Sequence, residues 1–156
     1  MTNISPSFNE FLKEIKKKKN TLLWYKLKFD LDTPVSTYLK LCKNIDNAFL
    51  LESVQDGTYR GRYSIIGMEP DILWKCENNI AYIKYDKKKF IKENIPPLKS
   101  LNNLIHKSKI NIPNFLPPMA SGLIGYLGYE TINLFEKLPK PKNKSLNVPD
   151  GFFIRP

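Results

Sequence analysis

The sequence predicts an α+β fold in which antiparallel sheets carry a few packed helices. Three observations lead there. Short β-compatible runs meet across tight turn signals: Ala48 to Val54 and Tyr63 to Gly67 flank Asp56-Gly57, and Asp71 to Glu77 and Ile80 to Tyr85 flank Asn78-Asn79. Turns of this kind join neighbouring strands in opposite directions. Helical spacing comes in short blocks between the strands. The chain has 156 residues, 42% of them apolar, which suits one domain with a real core.

The elements follow in order. Phe8, Phe11, Leu12 and Ile15 mark a short amphipathic helix over Phe8 to Lys18, its lysine run lying in water at the negative end of the helix dipole. Leu22 to Phe29 alternates in part and reads as a strand. Thr33 can cap a helix from Pro34 to about Cys42, with Val35, Tyr38 and Leu39 inward. The strand Ala48 to Val54, the turn Gln55 to Arg60 and the strand Tyr63 to Gly67 come next, then the hairpin on Asn78-Asn79. Asp86 to Lys88 turns into a further short strand ending at Ile91.

Pro96-Pro97 imposes an extended link. Leu98, Leu101, Leu104 and Ile105 share one side of a helix over Leu98 to His106. Three prolines make Ile112 to Pro118 a loop. Gly122, Gly125 and Gly128 then recur at every third position, where backbones can approach closely or a strand can bend. Tyr129 to Leu138 fits a helix, with Glu130 suited to its start. Pro139 to Pro149 is a lysine-rich surface loop. Asp150 to Ile154 opens another apolar element just before Pro156. A strand left there without a partner would be an exposed edge. We therefore read residues 1–156 as a single, incomplete domain, a fragment of a longer chain.

Composition excludes several classes of function. The charge of +10 comes from 25 basic and 15 acidic residues and favours anionic partners. The lysines, however, fall in separate runs, and Arg60, Arg62 and Arg155 are the only arginines, so neither base readout nor a basic, aromatic groove for nucleic acid is evident. Cys42 and Cys76 lack metal-ligand spacing and are too few for a disulfide scaffold. His106 is the sole histidine, and no carboxylates cluster for a metal. No hydrophobic stretch reaches the ~18 residues of a membrane span, and the N-terminus is too polar for a signal peptide. The expectation is a cytoplasmic protein with no membrane and no nucleic-acid partner. The rival of another class is a basic, non-enzymatic interaction module, marked by lysine runs converging on one face.

Phe49 to Gly67, FLLESVQDGTYRGRYSIIG, holds the most chemistry. One apolar run ends in Glu52 and Ser53, and Arg62, Tyr63 and Ser64 open the next. Two strands joined by a turn bring an acid, hydroxyls and a guanidinium to the rim of a sheet. A zwitterion needs an acceptor for its ammonium and donors for its carboxylate, and this set supplies both. Read without further context, Glu52 can equally be a solvated edge residue or a partner of Arg62. Arg62 can brace the turn, and Tyr63 can pack on the sheet.

Four ordered blocks carry a resemblance to a known family. They are Thr33 to Lys40 (TPVSTYLK), Leu50-Leu51-Glu52-Ser53 with Gly61 to Gly67 (GRYSIIG), Gly122 to Glu130 (GLIGYLGYE), and Val148 to Pro156 (VPDGFFIRP). The chain resembles, over roughly residues 21 to 156, the N-terminal domain of anthranilate synthase component I, the large subunit. The large subunit of aminodeoxychorismate synthase shares the architecture and is the alternative within the same superfamily. The intact Leu-Leu-Glu-Ser followed by Gly-Arg-Tyr-Ser favours the anthranilate enzyme.

The resemblance implies an α+β unit with antiparallel sheets, packed on a C-terminal catalytic domain that this chain lacks. It implies an enzyme that takes chorismate and ammonia to anthranilate and pyruvate in tryptophan biosynthesis. It further implies a glutamine amidotransferase partner and magnesium at a chorismate site in the missing domain. No catalytic residue and no cofactor falls on these 156 residues, so the fragment alone is expected to be inactive. Much of the tryptophan feedback site is expected here, at Glu52, Ser53, Arg62, Tyr63 and Ser64.

Overall fold

The computed structural model describes residues 4–17, 20–53, 63–86, 88–136 and 147–156. A five-stranded antiparallel sheet forms the body. Its strands are β3 (Ile72–Glu77), β4 (Ile80–Tyr85), β5 (Ile91–Lys92), β6 (Ile124–Leu127) and β7 (Gly151–Arg155), in the order β5-β4-β3-β7-β6. A separate hairpin pairs β1 (Phe49–Glu52) with β2 (Ser64–Gly67). With helices α1 (Phe8–Lys16), α2 (Pro34–Cys42) and α3 (Pro97–Lys107), this is the α+β mix with antiparallel sheets that the sequence predicts.

The local reasons are visible. Asn78 and Asn79 both adopt positive φ, 51° and 62°, as a tight turn matched to strand twist requires. Thr33 caps α2: its Oγ1 accepts from Ser36 N at 3.1 Å, Ser36 Oγ accepts from Thr33 N at 3.0 Å, and Pro34 fills the first turn. Alternation then sorts the sheet faces. Ile72, Trp74 and Cys76 point with Ala81 and Ile83 onto Leu101 and Leu104 of α3, and Phe153 packs beside them. Trp74, 0% exposed, fixes the centre, its ring 6.0 Å from that of Phe153.

Several expectations need correction. Leu22 to Phe29 is not a sheet strand; its one ladder contact is a bridge from Trp24 to Ser5. α1 buries no residue, and Phe8 lies exposed. In α2, Val35 and Leu39 face solvent, and Cys42 is the buried residue. In α3, Ile105 is exposed, while Pro97 and Ser100 join Leu101 and Leu104 inside. The strand expected to end at Ile91 instead starts there. The helix expected over Tyr129 to Leu138 is a 3-10 turn over Tyr129–Leu134. The terminal apolar element is no exposed edge: β7 lies between β3 and β6, paired on both sides. The turn Gln55 to Arg60 and most of the Pro139 to Pro149 loop lie outside the described residues.

Candidate binding cleft

The hairpin determines what the acidic and hydroxyl groups can do together. Its register sets Phe49 opposite Gly67, Leu51 opposite Ile65, and Glu52 opposite Ser64. Directly opposed residues share a face, so the Glu52 carboxylate and the Ser64 hydroxyl stand on one side of the ribbon. Phe49 needs the missing side chain at Gly67, where a Cβ would strike its ring. α2 lies against both strands.

A cleft of about 510 Å³ opens between this hairpin and the five-stranded sheet. Residues 63–68 line one wall as an unbroken run, so β2 offers its backbone edge as well as its side chains. The opposite wall is Pro117 and residues 119–122, with Ile124 at the start of β6; Leu22 and Pro156 complete the lining. The lining is mainly apolar, from Phe49, Ile65, Ile66, Met68 and Met119, with Ser64, Ser121 and Tyr63 among it. The volume falls in the usual small-ligand range of roughly 300–1,000 Å³. A mainly apolar slot with a few hydroxyl-bearing residues in its lining suits a small amphiphile with a flat apolar body.

The expected site residues divide around it. Tyr63 and Ser64 line the cleft. Glu52 is exposed on the ribbon face it shares with Ser64, and Ser53, also exposed, follows it directly. Neither is part of the wall. Arg62 lies outside the described residues. The opposite wall, Met119 to Gly122, was missed by sequence reasoning, which saw there only the end of a proline loop and the first of three glycines. Its small residues, Ala120-Ser121-Gly122, were the available signal: Gly122 holds φ at +148°, a conformation other residues rarely adopt.

The Cys76 thiol is pushed up to about 11, chiefly by burial and then by the Asp150 carboxylate, so it stays protonated at neutral pH. Cys42 and Cys76 are both free and buried. Among the described residues, no group of three or more His, Cys, Asp or Glu side chains could hold a metal ion. Among the same residues, no helix is long and apolar enough to cross a membrane.

The class is thus an α+β unit whose antiparallel sheets flank an open, mainly apolar cleft. The chain matches the N-terminal part of proteins named anthranilate synthase component 1. It is 42% identical over 154 residues to anthranilate synthase component 1 of Cereibacter sphaeroides, covering 96% of this chain and 31% of that protein. The corresponding protein of Thermus thermophilus is 32% identical over 127 residues, 81% of this chain and 26% of the relative. That of Pseudomonas putida is 36% identical over 125 residues, 78% and 25% respectively. The chain therefore spans about a third or less of the length of the curated relatives it matches. No family model matches it.

Proposed function

We propose that this chain is the regulatory N-terminal part of an anthranilate synthase large component, and that its cleft receives tryptophan as a feedback inhibitor. The enzyme turns chorismate and ammonia into anthranilate and pyruvate in the cytoplasm. A glutamine amidotransferase partner delivers the ammonia. The catalytic groups and the magnesium site belong to the part that the relatives carry beyond the matched region, and the 156-residue chain alone is inactive.

The observation that supports this reading most is the opposition of Glu52 and Ser64 beside a cleft lined by Tyr63 and Ser64. The indole lies in the apolar slot. The ammonium is held by the Glu52 carboxylate at the rim, and the carboxylate by Ser53, Ser64, Arg62 and backbone N–H groups. Inhibition then follows from linkage: tryptophan disfavours the chorismate-competent arrangement, and chorismate weakens tryptophan binding by the same factor.

The test is made in an anthranilate synthase whose N-terminal part is this chain. Glu52→Ala and Ser53→Ala should each raise the tryptophan concentration for half-inhibition by about tenfold, one charge-assisted hydrogen bond's worth, with uninhibited turnover intact. Unchanged inhibition in both variants overturns the regulatory reading. Anthranilate formed by the purified 156-residue chain overturns the assignment of catalysis elsewhere.

A further inference from the structure

From Tyr25 to Asp30 the chain contains no helix, turn or bend. Its apolar residues occupy every second position, and all are exposed: Tyr25, Leu27 by 59%, Phe29 by 54% and Leu31 by 99%. Among the described residues, no backbone hydrogen bond is made by residues 25–31. The segment is nevertheless fixed at both ends. Upstream, Trp24 bridges to Ser5 and its ring meets Phe115 edge-on at 5.0 Å; downstream, Thr33 caps α2. A period-two apolar face on unpaired backbone is a strand that still needs a neighbour.

The polar positions state which neighbour fits. Lys26 and Lys28 precede Phe29, and Asp30 and Asp32 follow it. The charge order is therefore reversed about Phe29. An antiparallel pair of two such segments, Phe29 opposite Phe29, sets Lys28 across from Asp30 and Lys26 across from Asp32, and two-fold symmetry repeats each pair. Leu27 meets Leu31 on the other face. Parallel in-register pairing would stack like charges. Moving the antiparallel register by one residue would set apolar side chains against charged ones, and moving it by two toward the N-terminus would set Lys28 against Lys28.

We propose that residues 25–31 form a self-complementary interface at which a second copy of this chain adds its own strand, antiparallel and centred on Phe29. The inner pair sets the register, because Asp32 is already engaged: its Oδ1 accepts from Lys40 Nζ at 2.6 Å and from Ser36 Oγ at 2.8 Å. The contact is isologous, so it closes at the dimer. It stands apart from the cleft reading and does not depend on it.

Sedimentation of the 156-residue chain across micromolar to millimolar concentrations tests this. A monomer–dimer equilibrium that weakens with added salt is expected. Asp30→Lys alone and Lys28→Asp alone should each weaken self-association at least tenfold, since each sets like charges opposite one another. Mixing the two variants should restore dimers, because each then presents the other's missing charge. Both substituted positions, Lys28 and Asp30, are exposed, and unchanged circular dichroism confirms that folding is intact. A monomer at every concentration overturns the proposal. A dimer indifferent to both substitutions overturns it too, by placing the interface elsewhere.

Discussion

The indole N–H of Trp74 has a single partner, and that partner passes the bond on. Nε1 donates to Ser100 Oγ at 2.7 Å, and Ser100 donates in turn to the Glu93 carboxylate. Ser100 is buried in α3, and no buried side-chain polar atom in the described residues lacks a partner. Ser100→Ala would strand the indole N–H in the core. The expected loss of stability is about 1–3 kcal/mol, read from denaturant unfolding followed by tryptophan fluorescence. Cys76 allows a second prediction at this scale. With its thiol pushed up to about 11 by burial, it should resist alkylation at pH 8 in the native chain and react at the rate of global unfolding. The sign of its linkage follows. The raised value contributes stability that is present below the ordinary value of 9.0 and is lost as pH climbs towards 11, so the chain should weaken over that interval. Neither residue was legible as a constraint in the sequence: Trp74 read as one more strand residue, and Ser100 was absent from the predicted helix face because an apolar pattern cannot reveal a hydrogen bond across 26 residues.

At the scale of elements, what the sequence made legible depended on how local the cause was. The Asn78-Asn79 hairpin and the start of α2 at Thr33-Pro34 were readable because turn and cap chemistry sits within four residues. The segment 22–29 was misread as a sheet strand because alternation specifies a face and not a partner. The candidate site shows the same division: Tyr63 and Ser64 were found from a hairpin pattern, whereas Met119 and Ser121 come from a distant segment that only the fold brings opposite. Two predictions belong here. The Asp32 carboxyl is held below its ordinary value of 3.8, chiefly by the hydrogen bond from Lys40 and then by that from Ser36. Its support of α2 is therefore complete above 3.8 and fades as pH falls below it, a loss that Asp32→Asn should remove from the acid unfolding profile. Gly125 is the other. In β6 a Cβ there would fall on the Phe152 carbonyl oxygen and 2.7 Å from the Phe153 Cα, with only backbone to yield. Gly125→Ala should cost about 2–3 kcal/mol and detach β6 first, visible as faster hydrogen exchange at Ile124 to Leu127 than in β3.

For the whole molecule, the decisive element is the last one in the chain. β7 joins the two halves of the large sheet: β3 pairs with it from Ile72 opposite Arg155 to Cys76 opposite Gly151, and β6 pairs on its other side. Arg155 also carries a fork to Asp71, Nε to Oδ1 at 2.8 Å and Nη2 to Oδ2 at 2.5 Å, and donates to Ser108 at the end of α3 at 3.2 Å. Phe153 packs beside Trp74, and Pro156 lines the cleft. Removing residues 151–156 thus takes away one of the two neighbours of β3, the only described neighbour of β6 and part of the cleft wall at once. The hairpin β3–β4 with α3 can persist, since its pairing is local, but β6 has nothing left to pair with. The truncated chain should lose its single cooperative unfolding transition, bind a hydrophobic dye at neutral pH and show its Trp74 emission shifted to the red. Arg155→Ala alone should be far milder, because it leaves the ladder intact and removes an ion pair whose carboxylate is half exposed. A truncated chain that still unfolds in one sharp transition with unshifted emission would mean that the sheet does not depend on β7, and that its central position in the fold carries no corresponding share of the stability.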